Sequence, residues 1–257
     1  MAFLLTKYIE LLMQFVVKGY SLGPVRRYFE DFSPPFVFLR HDVDRFPARA
    51  IKMARMEAQA GFQATYYFRC TKKSVFPKDT IGKIKALGHE IGYHYETMVL
   101  CKGDRIRAIN LFAKNLNRLR EVADINTVTA HGSPLSPYTS IGLISKNDAK
   151  SFQIYGDPHE QIDYSKVLYI TDTGGIFGSR FNRRDWSPGK NFRTPTSPEA
   201  LAGLLAPDSE PMILLNTHPE KWPGGFFGLI HAKSIDVISN LLKMTKDILD
   251  ESGHRRH

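Results

Sequence analysis

The chain has 257 residues, 42% apolar and 24% charged, with a formal net charge of +9. That length supports one substantial buried core, and the composition excludes a disordered or fibrous chain. The basic balance favours an anionic partner: a phosphorylated or nucleotide-linked ligand, or a membrane surface.

In chain order, Leu4, Tyr8, Leu11, Leu12, Phe15 and Val16 fall on one face of a helix. Lys7 and Glu10 interrupt that apolar run and no small-residue cleavage site follows, so a secretory signal is not expected. No run reaches the roughly 20 apolar residues that span a bilayer. Residues 36–40 read as a buried strand that runs into His41, Asp42 and Asp44. A helix from Pro47 to Gly61 follows, with proline in its first turn and glycine at its end. Next come a strand over 64–69, a helix from Thr80 to Leu87 stopped by Gly88, and a strand over 90–95 ending in His94 and Glu96. Gly103 to Val122 is helical, 126–130 is a strand leading to His131, and 152–155 and 167–171 are further strands, the last ending at Asp172. The segment 173–198 is rich in Gly, Pro, Arg and Asn without periodicity and reads as a lid-like loop. Helices over 197–205 and 232–249 flank a last strand, 212–216, which closes on His218.

Strands alternating with helices imply a parallel sheet with right-handed crossovers. About seven such units in one domain over 1–257 point to an α/β fold, an irregular (β/α)7-type barrel, with 1–30 as an N-terminal helical extension. An open doubly wound sheet is the competing architecture. No GxGxxG or P-loop sequence follows any strand, so a dinucleotide or P-loop site has no support. Positive charge concentrates only at Arg180–Arg184 and His254–His257 without a recognition motif, so no nucleic-acid partner is expected. Cys70 and Cys101 form no CxxC pair, which argues against a thiolate zinc site and suits a reducing, cytoplasmic setting.

A parallel α/β domain displays its chemistry at the carboxyl ends of its strands. Asp42 and Asp44 lie two apart on an extended segment and point the same way. Two carboxylates there would repel unless a cation sits beside them, so one can hold a metal while the other handles a proton. The bland alternative makes Asp44 the cap of the helix beginning near Pro47. His94 and Glu96 repeat the spacing, and imidazole suits zinc-like metals. His131 and His218 end two more strands. Asp172 is placed to orient a histidine or to bind substrate.

These residues resemble the polysaccharide deacetylase family, built on the NodB homology domain and like family 4 carbohydrate esterases, with this chain a divergent member. The similarity runs from about residue 36 to 222. Asp42-Val-Asp44 is similar to the family's first motif, Gly88-His-Glu-Ile-Gly-Tyr-His94 to its second, and Leu214-Leu-Asn-Thr-His218 to its last; Gly132-Ser-Pro134 sits where the third would be. The resemblance implies an irregular βα barrel and a metal-dependent hydrolase that removes an acyl group, acetyl above all, from an N-acylated sugar or glycan precursor. It implies Asp42 as base, Asp44 and His94 as metal ligands, and His218 as general acid. The family's second ligand histidine lies four residues on, where this chain has Met98. His131 is the favoured replacement, then Glu96, with a water-bridged two-residue site also open. Zinc is the first expectation, nickel or cobalt the next. Glu96, Asp172, Arg184 and Trp222 are expected at the substrate, which the basic charge and lid arginines make a phosphate- or nucleotide-linked sugar. Two other readings compete: hydrolysis of a non-sugar or cyclic amide on the same barrel, and a non-catalytic carbohydrate-binding module with a degraded metal site.

Overall fold

A computed structural model describes residues 4–70, 76–173, 175, 177, 197–204, 206–208 and 210–254. Among these, seven strands form one parallel sheet: β1 (Ser21–Pro24), β2 (Phe36–Val43), β3 (Thr65–Arg69), β4 (Glu90–Tyr95), β5 (Ile125–Ala130), β6 (Leu168–Thr171) and β7 (Met212–Thr217). The path runs β5-β4-β3-β2-β7-β6, and β1 pairs with the start of β2. Every pairing is parallel, so all carboxyl ends point one way. The helices are α1 (Leu5–Val17), α2 (Pro47–Gln59), α3 (Lys78–Ala86), α4 (Thr97–Leu100), α5 (Arg105–Arg120), α6 (Lys146–Ser151), α7 (Pro158–Gln161), α8 (Pro198–Leu204) and α9 (Phe226–His254).

β2 sits at the centre because it is buried on both faces along all eight residues, and only a near-continuous apolar run tolerates that. Its side chains alternate between two cores. Val37, Leu39 and Val43 join the large cluster under the helices, with Tyr8 and Phe15 of α1, Met53 of α2 and Phe112 of α5. Phe36 and Phe38 point to the other face and pack with Tyr67 of β3, Leu214 of β7, Val25, Ile162, Tyr164 and Val167. A sheet with its own apolar cluster on the concave side is the barrel interior. That interior is apolar below, and above it, on the same face, stand Arg40 and Asp42.

The N-terminal segment is more than the expected helical extension. β1 pairs Ser21 to Phe36 and Pro24 to Leu39, while Val25 N–H donates to Thr65 Oγ1 at 2.8 Å and Arg26 N–H to Glu90 Oε2 at 3.1 Å. These contacts floor the barrel. The expected strand at 152–155 reduces to a bridge between Gly156 and Thr127. Gln153 there takes a positive φ of 54°, which interrupts an extended run. Tyr155 N–H still donates to Asn126 carbonyl (2.7 Å) and Val128 N–H to Gly156 carbonyl (3.1 Å), so the segment lies along β5. β5 and β6 do not pair with each other among the described residues. The barrel is therefore irregular and open at that seam. Gly92 of β4 is needed for close approach: a Cβ there would stand 2.3 Å from the Tyr67 ring.

Candidate metal centre and active site

Period-two alternation decides which strand-end residues meet. On β2, Arg40 and Asp42 face the interior and Asp44 follows them out of the strand; His41 faces the helices. His41 Nδ1 meets Thr217 Oγ1 at 2.7 Å and its Nε2 meets Glu57 Oε1 at 2.8 Å, where Tyr8 and Tyr66 also donate to Glu57. His41 is thus a buried tie between β2, β7 and α2, away from the site. His89 is likewise structural: its Nε2 donates to Ala54 carbonyl (2.8 Å) and its Nδ1 accepts from Ala64 N–H (3.2 Å).

Asp44, His94 and His131 converge, each offering one ligand atom within 4.8 Å of the others. His94 Nε2 lies 3.5 Å from Asp44 Oδ1, and His131 Nε2 3.5 Å from Asp44 Oδ2. Ligands about 2.0–2.1 Å from a tetrahedral ion stand roughly 3.4 Å apart, close to these two separations, which run to different oxygens of Asp44. His94 Nδ1 faces the Thr129 carbonyl at 3.0 Å and must donate to it, so the Nε2 lone pair points inward. Burial pulls the His94 imidazole down to about 4, against the pull of Asp42 and Asp44, and keeps it neutral as a ligand requires. Asp44 Oδ1 is buried without a hydrogen-bond donor. Its nearest protein cation is Arg69 Nη1 at 3.5 Å, and a carboxylate with two imidazoles is a donor set that fits a zinc-like divalent cation.

Met98, four residues after His94, cannot join them. It lies in α4 with its side chain against the apolar core, and its N–H donates to Ser140 Oγ. His131 reaches the same point from the end of β5. Glu96, expected at the substrate or as a ligand, holds other residues instead: it accepts from Arg69 Nη2 at 2.7 Å and lies 3.2 Å from His131 Nδ1. His131 Nδ1 is hydrogen-bonded to Ser133 Oγ at 2.8 Å, and that bond, with the Glu96 carboxylate beside it, orients the ring through its other nitrogen.

Asp42 is gripped by Arg40, whose Nε and Nη2 donate to its two oxygens at 2.9 and 2.8 Å, and by Asn216 Nδ2 at 3.0 Å. Burial alone would raise the Asp42 carboxyl, but the Arg40 guanidinium, with His94, holds it well below the usual carboxylate range. Asp42 Oδ2 stands 3.7 Å from His94 Nε2. Opposite, His218 ends β7 with Nε2 3.9 Å from Asp44 Oδ2 and Nδ1 donating to Asp172 Oδ1 at 2.6 Å. Burial and Lys221 push the His218 imidazole down, yet Asp172 outweighs them and lifts it to about 9.

Two of the residues expected at the substrate are corrected by these contacts. Asp172 is wholly buried and accepts from His218 N–H, His218 Nδ1 and Trp222 Nε1 (2.7 Å), so it orients the histidine and has no face for a ligand. Trp222 is 2% exposed, edge-on to Tyr8 and tied to Asp172, which leaves no ring face for a sugar. Arg184 and nearly all of the 173–198 loop lie outside the described residues. Sequence reading missed Arg40, Asn216 and Glu220. The first two precede Asp42 and His218 by two on their strands, which the period-two rule could have shown. Glu220, two beyond His218, lines the cleft with a buried Oε2 that has no hydrogen-bond partner. Burial pushes its carboxyl up to about 7, with His218 opposing and Asp44 adding. The cleft of about 550 Å³ joins all these groups and is walled on its open side by α9.

No protein-family model matches the chain, and none of the curated proteins does. Among solved structures, the chain is similar to a family 4 carbohydrate esterase from Bacillus anthracis: 14% identity, TM-score 0.41, over 93% of this chain and 86% of that one. It is similar to a CE4 esterase from Streptococcus mutans at 17% identity and TM-score 0.47, over 87% and 86%. A mutant of the peptidoglycan deacetylase PdaC from Bacillus subtilis gives 13% identity and TM-score 0.37, over 81% and 96%. At these scores the likeness carries no weight for function, which must come from the site.

Proposed function

We propose that the chain is a metal-dependent hydrolase that removes an acyl group, acetyl above all, from an N-acylated sugar. The observation that carries this reading is the convergence of Asp44, His94 and His131 between a carboxylate, Asp42, and a histidine held protonated, His218. The motif resemblance described above supports the sugar amide over other amides.

A divalent cation held by Asp44, His94 and His131 would lower the pKa of a bound water to about 7 and polarise the acyl carbonyl. Asp42 lies on one side of that point and accepts the proton that the attacking water gives up. Arg40 keeps it ionised at every physiological pH, and a carboxylate this weakly basic would take the proton only from a water that the cation has acidified. His218, on the other side and protonated at neutral pH, donates from Nε2 to the departing amine nitrogen. Asp172 fixes that tautomer and direction, as a buried carboxylate behind a catalytic imidazole does. The acid and base are thus separated by environment, one carboxyl pushed down and one imidazole pushed up. A phosphate- or nucleotide-linked sugar fits the positive charge of the chain.

The deciding experiment loads the purified protein with zinc, nickel or cobalt and measures both bound metal and acetate released from N-acetylated sugars, nucleotide sugars and simple amides. The expected result is about one ion per chain and release from the sugar substrates, with His94→Ala losing both. A wild-type protein that binds no ion after reconstitution removes this function and favours the sugar-binding module. Release from simple or cyclic amides alone would favour the sibling hydrolase.

Asp172→Asn tests the acid. Asp172 is the largest of the groups that lift the His218 pKa, so the variant's imidazole loses its proton at lower pH. His218 works when protonated, so activity is present below its pKa and lost as pH rises through it. The basic limb of the kcat/KM profile should therefore move down by about one unit or more. The displacement is the readout, because a cation bound nearby lowers the limb in both proteins. An unmoved limb would remove the Asp172–His218 pair from the acid role.

A further inference from the structure

α9 is amphipathic the wrong way round. A surface helix normally turns its apolar stripe to the core and its polar face to water. Here Ala232, Asp236, Ser239 and Lys243, spaced by three and four residues, face the catalytic cleft. The opposite arc carries Ile230, Val237, Ile238, Leu241 and Met244, each between 41% and 59% exposed. Five large apolar side chains on one helix exceed the scattered exposure that soluble surfaces tolerate.

The patch does not end with the helix. Phe46, 42% exposed, packs its ring 5.5 Å from His231 at the start of α9. Leu135, 49% exposed, lines the cleft that Leu242 also borders. The exposed apolar surface therefore continues from α9 onto Phe46 and reaches the rim of the cleft at Leu135 and Leu242. Between Ile230 and Thr245 the exposed positions of α9 include Lys233 and no acid, and exposed Arg45 stands next to Phe46.

We propose that this face docks on an anionic phospholipid surface, with the outer arc of α9 lying in the headgroup boundary. An interfacial helix needs an apolar face, basic neighbours and low net hydrophobicity, whatever its length, and no helix among the described residues is long and apolar enough to cross a bilayer. The net charge of +9 draws the protein to an anionic surface and makes two copies repel, which selects the membrane over a second copy as the cover.

Vesicle co-sedimentation tests it without reference to activity. The whole protein should partition onto vesicles of phosphatidylcholine with phosphatidylglycerol, weakly onto phosphatidylcholine alone, and less as salt rises. Val237→Glu with Leu241→Glu should lower the partition coefficient by about tenfold or more, since two half-exposed anchors become anions. Both positions are more than half exposed, so circular dichroism and thermal midpoint should not change. Ile106→Glu, at a still more exposed apolar position on α5 (77%), should bind as wild type. The proposal is overturned if the protein stays in the supernatant with anionic vesicles, or if Ile106→Glu loses as much as the double variant. It is equally overturned if light scattering shows a dimer that the double variant splits while vesicles bind neither form.

Discussion

Asp42→Asn is expected to lower kcat by about 10²–10⁴-fold, the usual contribution of a positioned general base, or about 3–5 kcal/mol in transition-state free energy. Metal content should stay close to wild type, because the cation would be held by Asp44, His94 and His131. The amide keeps the shape of the carboxyl but accepts through one oxygen only, so one of the Arg40 donors faces its NH2, and a thermal melt beside the kinetics separates lost stability from lost chemistry. KM should change little, since the group acts on water and not on the bound sugar. Single-turnover kinetics beside metal analysis separate these quantities. Turnover within a few-fold of wild type would assign the base elsewhere, with Glu220 the nearest candidate.

Arg40→Met is expected to cost about 3–5 kcal/mol of stability at neutral pH, because it leaves the buried Asp42 carboxylate without its cation. Both side chains are almost fully buried, at 1% and 4% exposure. The pH dependence carries the sign. In the wild type the Asp42 carboxyl is held below its ordinary value, so it stabilises the fold above about pH 4 and that contribution is lost as pH falls towards the folded value. Without Arg40 burial dominates and the carboxyl rises above its unfolded value. The variant's deficit is then largest at neutral pH and shrinks on acidification, as the carboxyl takes up a proton. Arg40→Met with Asp42→Asn should recover much of the loss, because neither charge remains to be buried. Denaturant melts at pH 5 and pH 7 measure all three proteins. A single variant as stable as wild type, with the same pH slope, would show that Asn216 and His94 alone carry the carboxylate.

These two residues also show how much of the site was legible. Asp42, Asp44, His94, His131 and His218 could be picked out because each follows an apolar run, and a parallel sheet puts all such ends on one rim. Convergence of the chosen set follows from that topology, and the structure brings those residues into one cleft. Met98 could be doubted from its thioether alone. That His131 stands 3.5 Å from Asp44 depends on how β4 and β5 pair across a register shift between Ile91 and Tyr93, which no local pattern encodes. Trp222 misled because an aromatic near a strand end serves equally for stacking on a sugar or packing a core. Burial at 2% decides it.

Local chemistry, then, was enough to determine the alternation of strands and helices, the sheet's parallel sense and the strand-end acids and imidazoles. Those properties depend on side chains a few positions apart: period two in a strand, period three to four in a helix, glycine and proline between them. What only the tertiary structure decided is which groups sit within a few ångströms of one another. Arg40 on Asp42, Asp172 behind His218, and an apolar arc of α9 turned to solvent arise from packing between distant segments. Their energetics come from desolvation, which exists only once the chain has closed around them.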